Sequence, residues 1–243
     1  MSKKVFQTEY AGHILRYSLL CPLTRYNFKP RLEPAEGDEY DIAASPELLE
    51  LARTMLPPDS RDAYVEYRVL IELTARELLR YDCCIFHSAS YVWNGKAFLL
   101  TAPSGTGKTT QYLNWERLFP NEITMISGDM PVLERREDGS VWAHPTTWNG
   151  KENIGSRLSA PVAGIVLLEQ GKENAVTPLS ARDAVVPFFE QFIVRPETEE
   201  QILALARLMD QMLRNLPCYK LVNRGDDAST LLLREKLLNA EGE

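Results

Sequence analysis

Residues 102–109 of this 243-residue chain read Ala102-Pro103-Ser104-Gly105-Thr106-Gly107-Lys108-Thr109. The apolar run Ala97-Phe98-Leu99-Leu100 precedes them, and a helix-like stretch, 111–118, follows. A strand, a glycine turn and a helix start in that order constrain the chain to an α/β unit with a phosphate-binding loop at the strand end. Gly105 and Gly107 can take backbone angles closed to other residues. Such a turn points successive N–H groups inward as an anion cradle. The helix start adds unpaired N–H groups and a partial positive charge. The expected nucleotide-binding residues are therefore Pro103, Ser104, Gly105, Thr106, Gly107, Lys108, Thr109 and Thr110. Lys108 would reach the β- and γ-phosphates of ATP, and the Thr109 hydroxyl would ligate Mg²⁺, with Thr110 the weaker alternative. Ala102 stands where the strict pattern has glycine. It is small enough to be tolerated if its backbone is not left-handed.

Length, composition and charge bound the rest. The chain suits one sizeable domain or a core with a small appendage. A hydrophobic content of 44% supports a real core. The formal net charge of −7 argues against a nucleic-acid partner. No run of eighteen apolar residues predicts a membrane span. The opening residues 1–7 turn polar too soon for a secretory signal. Cys21, Cys83, Cys84 and Cys218 form no C-x-x-C pair, so a cytoplasmic, reduced setting with structural thiols is expected.

Patterning along the chain predicts a mixed sheet. Residues 3–20 alternate loosely about Gly12, as two short strands would. Residues 22–46 are rich in Pro and acid, predicting loop with one short strand at 39–42. Pro57-Pro58-Asp59-Ser60 marks a stop and a cap for a helix over 61–80, whose buried side is expected to carry Tyr64, Tyr67, Leu70, Ile71, Leu73, Leu78 and Leu79. Strands follow at 84–93 and 97–101 around an Asn94-Gly95 turn. Further strands are expected at 122–127, 132–136, 141–143, 162–170 and 218–222. A capping box at Ser180 opens a helix to about 192, and helices over 197–216 and 228–238 complete the chain. Hairpins beside the glycine loop argue against an all-parallel sheet. Residues 1–58 are expected to form a small β-rich lobe packed on the core, and 59–243 the P-loop, kinase-like domain.

The run from His87 to Asp129 resembles the kinase domain of HPr kinase/phosphorylase, in the superfamily shared with phosphoenolpyruvate carboxykinase. There a histidine precedes a hairpin, the phosphate loop follows, and a later strand ends in acidic residues. The resemblance is closer to the small HPr-kinase-like proteins, which share a similar loop, a following Gly-Asp (Gly128-Asp129 here) and a later W-x-G-K-E, here Trp148-Asn149-Gly150-Lys151-Glu152. It implies an HPr-kinase-like fold and Mg²⁺-ATP-dependent transfer to a hydroxyl acceptor. It is also compatible with a homo-oligomer. Two positions depart from the pattern: Gly128 replaces a second acid, and Met130 replaces a common lysine. The segments that recognise HPr are not recognisable, so HPr is not the expected substrate.

Asp129 ends a strand beside the loop, where an acid can hold Mg²⁺ and accept the proton of an attacking hydroxyl. His87 neighbours the reacting phosphate in the resembled enzyme and is the other candidate base. Glu152 would match a further metal-ligating acid of that enzyme. Lys151 could neutralise charge on the transferring group, with Arg157 a weaker candidate. His144 and Trp148 are candidates to line a substrate or base pocket, Trp148 more simply as core. Arg135-Arg136 and Lys3-Lys4 read as solvated surface charges. The acceptor is left open between a peptide serine and a small metabolite. A nucleotide-binding regulatory module without catalysis is the second expectation.

Overall fold

The computed structural model describes residues 5–28 and 32–241; Lys3-Lys4 and Pro30 lie outside them. Strands β1 (Val5–Tyr10) and β2 (His13–Ser18) form the expected antiparallel hairpin. Its two turn residues, Ala11 and Gly12, both have positive φ (49° and 82°), the turn that suits the twist of a tight hairpin. β3 (Glu33–Pro34) pairs with β1, and β4 (Ile42–Ala43) with β2, giving a sheet ordered β3-β1-β2-β4. The short strand expected at 39–42 is thus only Ile42–Ala43. The Asp41 carboxylate accepts from Arg16 N at 2.8 Å and so stands in for a ladder bond.

Helix α1 (Pro46–Met55) was not expected. Pro46 occupies the first helical turn, behind the N-cap Ser45, whose side chain accepts from Leu48 N. Proline there is pre-set for a helix rather than a break. Helix α2 (Asp62–Leu78) buries Val65, Glu66, Val69, Leu70, Ile71, Thr74, Ala75 and Leu78, whereas Tyr64 is exposed and Tyr67 and Leu73 are half-buried. The expected face is rotated because a charged residue sits in the core. The Glu66 carboxylate accepts from Leu20 N (2.6 Å), Cys21 N (2.9 Å) and Thr24 Oγ1 (2.5 Å). A buried carboxylate is tolerated when its lone pairs are met in this way.

The main sheet has nine strands. Its path is β5 (Cys83–Ile85), β9 (Val132–Arg135), β10 (Val141–His144), β11 (Ala160–Gln170), β7 (Lys96–Thr101), β6 (Ser88–Trp93) and β8 (Ile123–Ser127). β13 (Cys218–Asn223) joins β11, and β12 (Ala175–Pro178), which was not expected, joins β13. β11 runs parallel to β7 and β13, and the other neighbours are antiparallel. The sheet is therefore mixed, as the hairpin signals predicted. The strand expected at 84–93 breaks at Phe86-His87, where the chain passes from one neighbour (β9) to others (β7 and β8).

Alternation along the central strands buries both faces. Leu99 and Ile165 pack with Ala184 and Phe188 of α4 (Ala181–Phe189) and with Leu205 and Leu208 of α5 (Glu199–Asn215). Leu100 and Val166 pack with Tyr112 and Trp115 of α3 (Lys108–Leu118) and with Leu233 and Leu237 of α6 (Asp227–Glu241). A third cluster joins Tyr10, Tyr17 and Phe28 to Leu70 and Leu78 of α2 and to Ile85 and Trp148, so the N-terminal strands share a core with the helix that follows. α4 ends at Phe189 rather than near 192 because Gln191 and Ile193 turn to bond the backbone of His87 and Ile85. All four cysteines are free thiols. Burial pushes the Cys83 thiol up to about 12 and that of Cys218 up to about 11, as inert core thiols require. Among the described residues no helix is long and apolar enough to cross a membrane.

Replacing Glu66 by Ala takes the acceptor from two part-buried backbone donors and from the buried Thr24 hydroxyl. The expected loss is about 1–3 kcal/mol, read as a lower urea midpoint. Glu66→Gln, which keeps one acceptor oxygen, should lose less.

Candidate functional site

β7 delivers the chain to the loop 102–107, and α3 begins at Lys108. Gly105 and Gly107 have φ of 82° and 109°. A Cβ on either would meet nothing within 4 Å, so backbone conformation, not space, demands glycine here. Gly107 is the N-cap of α3 and supplies no side-chain cap, which leaves the first N–H groups of the helix for another acceptor. Ala102 is fully buried and avoids the left-handed region, as its tolerance requires. Pro103, Ser104 and Gly105 are exposed, and Thr106 and Gly107 are half-buried.

Lys108 is the buried charge of the loop. Its Nζ donates to Ala102 O at 2.8 Å and to Pro103 O at 3.4 Å. Burial lowers the pKa of its ammonium, opposed by the charge of Asp129. Thr109 is half-buried; Thr110 is exposed, with its methyl against Gly225.

The break between β5 and β6 places the second half of the site. Phe86 N bonds Pro131 O, His87 N bonds Gln191 O, and Ser88 N bonds Asp129 O. Three backbone bonds on consecutive residues thus hold His87, Asp129 and Gln191 together. The His87 Nε2 lies 3.3 Å from Asp129 Oδ1, and its Nδ1 lies 3.1 Å from Gln191 Oε1. Gln191 escaped the sequence reading because it is 104 residues from its partner and no local pattern marks it. Gln170, at the end of β11, also reaches the loop, its Nε2 being 3.5 Å from Gly105 O.

Gly150 folds the 149–152 turn onto Asp129. With φ of 70°, its position would put a Cβ 3.5 Å from Asp129 Cγ and 3.7 Å from Glu152 Oε2. Glu152 therefore lies near Asp129, although Lys151 and Glu152 are both exposed. Hydroxyl and carboxylate oxygens are hard donors that suit Mg²⁺. Among the described residues, no three His, Cys, Asp or Glu side chains gather as a metal site. A cation here would take the rest of its shell from phosphate oxygens and water, as Mg²⁺ commonly does.

Other candidates fall elsewhere. His144 is bonded to Ser159 and Glu134, and Arg157 lines the same separate cavity. Trp148 is buried against Tyr10 at a ring separation of 5.2 Å and is core. Arg135 pairs with Asp82, and Arg136 pairs with Glu134 and covers the Trp142 ring, so neither is merely a solvated charge. A cavity of about 460 Å³ between α1 and α2, lined by Leu51, Met55 and Val69 among others, contains none of the expected site residues.

The family model described as "SynChlorMet cassette protein ScmC" matches residues 59–224, which span the loop, both halves of the site and the helices over them. The chain belongs to the ScmC family. No curated protein matches it. Among solved structures it is weakly similar to the HPr(Ser) kinase/phosphatase from Coxiella burnetii, at 9% identity and a TM-score of 0.37, over 65% of this chain and 98% of that one.

In this ScmC-family chain the glycine at 128 has a steric cause. A Cβ there would lie 3.0 Å from both Asn149 O and Ile154 O, and Gly128 N bonds Ile154 O. Gly128→Ala should therefore displace the 149–154 loop and cost about 1–3 kcal/mol. The expected readout is a lower melting temperature together with weaker protection of the Gly128 amide in hydrogen exchange.

Proposed function

We propose that this chain is an ATP-dependent phosphotransferase that moves the γ-phosphoryl group to a hydroxyl acceptor. The observation that carries the reading is Lys108, a buried ammonium held over carbonyls of a loop whose two glycines are left-handed and whose helix start is uncapped. An ammonium with no carboxylate hydrogen-bonded to it, beside free backbone donors, fits a polyanion.

In this reading the loop amides and Lys108 hold the phosphates. Thr109 and Asp129 would hold Mg²⁺, with Glu152 beside them, and the ion would neutralise charge shared by the β- and γ-oxygens. Asp129, or His87 through its contact with Asp129, takes the proton of the acceptor hydroxyl. Gln191 fixes the His87 ring from its far side. Lys151, on an exposed turn, is available to the transferring group. Positioning and charge neutralisation supply most of the rate in such transfers. The acceptor is a serine of a peptide or a hydroxyl of a small metabolite.

A nucleotide-binding regulatory module is the second reading. The closed position at 128 favours it, because one strand-end carboxylate, not two, faces the loop.

Lys108→Ala tests the phosphate binding that both readings share, and Asp129→Asn tests the catalysis that only the first requires. Lys108→Ala should abolish the rise in melting temperature that ATP with Mg²⁺ gives the wild type, since only ligand bound to the folded state produces it. An undiminished rise would overturn phosphate binding by the loop. Asp129→Asn should keep most of that rise while lowering transfer of label from γ-³²P-ATP about 10²–10⁴-fold. A wild type that binds ATP and labels no hydroxyl-bearing peptide or metabolite would leave the module.

A further inference from the structure

A second constellation lies away from the glycine loop, at the adjacent strands β9, β10 and β11. Glu134 is in β9, His144 ends β10, and Ser159 immediately precedes β11. The Ser159 Oγ is 2.9 Å from His144 Nδ1, and His144 Nε2 is 3.0 Å from Glu134 Oε2. A carboxylate only accepts hydrogen bonds, so Nε2 carries a proton, and in the neutral ring Nδ1 presents a lone pair. The Ser159 hydroxyl therefore donates to Nδ1.

The ring is held at both nitrogens, and its burial disfavours the charged form. His144 is buried, with only 7% of its surface exposed. Arg136 Nε donates to the same Glu134 oxygen at 2.8 Å. Burial keeps the imidazole below the ordinary histidine range despite the Glu134 contact, and Arg136 and His13 act in the same direction as burial. A neutral ring is the form that accepts a proton.

Ser159, in contrast, is exposed. Ser159 and His144 both line a cavity of about 350 Å³, with Thr8, Gly12 and Arg157 among its other walls. Arg157 stands two residues before Ser159 and brings a cation into the same cavity.

A nucleophile bonded to a base, with the base oriented by a third group, is the arrangement that activates a serine. We propose that Ser159, His144 and Glu134 form a nucleophile–base–acid triad that hydrolyses small carboxylic esters. Ser159 Oγ bonds to the ester carbonyl carbon while its proton passes to His144 Nδ1. The ester C–O bond breaks and the alcohol leaves with that proton, giving acyl-Ser159. His144 next takes a proton from water as the hydroxide adds to the acyl carbon. The bond to Oγ then breaks, Ser159 regains the proton, and the carboxylic acid departs. Glu134 stabilises the imidazolium in each half, and Arg157 faces the transient oxyanion.

The test uses the full chain and a fluorophosphonate probe, which leaves a Ser–O–P bond and expels fluoride. One adduct per chain, mapped to Ser159 by peptide mass spectrometry, is expected. It should form about 10²-fold or more faster than on the urea-unfolded chain. Glu134→Gln should slow it about tenfold or more. Ser159→Ala, which removes the hydroxyl bonded to His144 Nδ1, should stay folded with at most a small drop in melting temperature and take no label. The proposal fails if folded wild type labels no faster than Ser159→Ala or the unfolded chain, or if label spreads over several serines.

Discussion

Strand β11 exchanges backbone hydrogen bonds with three neighbours. Its first residues, Ala160 and Pro161, face β10; its later residues face β13 on that side; and Val162 to Leu167 face β7 on the other. Eleven residues are needed to do this, twice the ordinary strand length. The parallel pairing with β7 sends both strands toward the same edge. The glycine loop after β7 and Gln170 at the end of β11 meet there, and their separation of 3.5 Å follows from that shared direction. The register slips once, between Val162 and Gly164. A Cβ at Gly164 would lie 3.3 Å from the Phe98 ring, so the slip and the glycine together let an aromatic residue stand inside a parallel pair.

The two polar constellations differ in how they use burial. Around the loop, a buried ammonium has carbonyl partners but no direct carboxylate partner, an arrangement that leaves its charge available to an incoming anion. Around His144, both ring nitrogens already have partners, and the proposed reactive group is the exposed hydroxyl. Both sit where strands end. Glu66 belongs to neither. It takes three hydrogen bonds from the 20–24 segment and fixes that segment to α2, a structural use of a buried charge.

Much of this was legible in the sequence, for identifiable reasons. Asn94 and Gly95 both take positive φ, as that dipeptide announces between apolar runs. Ser180 caps its helix through a side-chain bond to the Asp183 backbone N–H. The glycine pattern at 105 and 107 foretold two left-handed residues. What escaped depends on distant partners or on ambiguous signals. Pro46 reads as a break and is a helix start. Glu66 is absent from the expected buried side and is core. The meeting of His87 with Gln191 depends on α4 stopping at Phe189, and that stop is caused by backbone bonds to a strand a hundred residues earlier. His144 was legible as a polar residue of interest, but its partners, Glu134 and Ser159, lie on neighbouring strands, and strand pairing cannot be read from local pattern alone.

Gly128 couples the end of one strand to a different stretch of chain. With two carbonyl oxygens 3.0 Å from where a Cβ would stand, any side chain at 128 requires the 149–154 loop to give way. An acid placed there would therefore come with a shift of the 149–154 loop. The number of strand-end carboxylates is thus set by the path of a different stretch of chain, and the two would have to change as a unit.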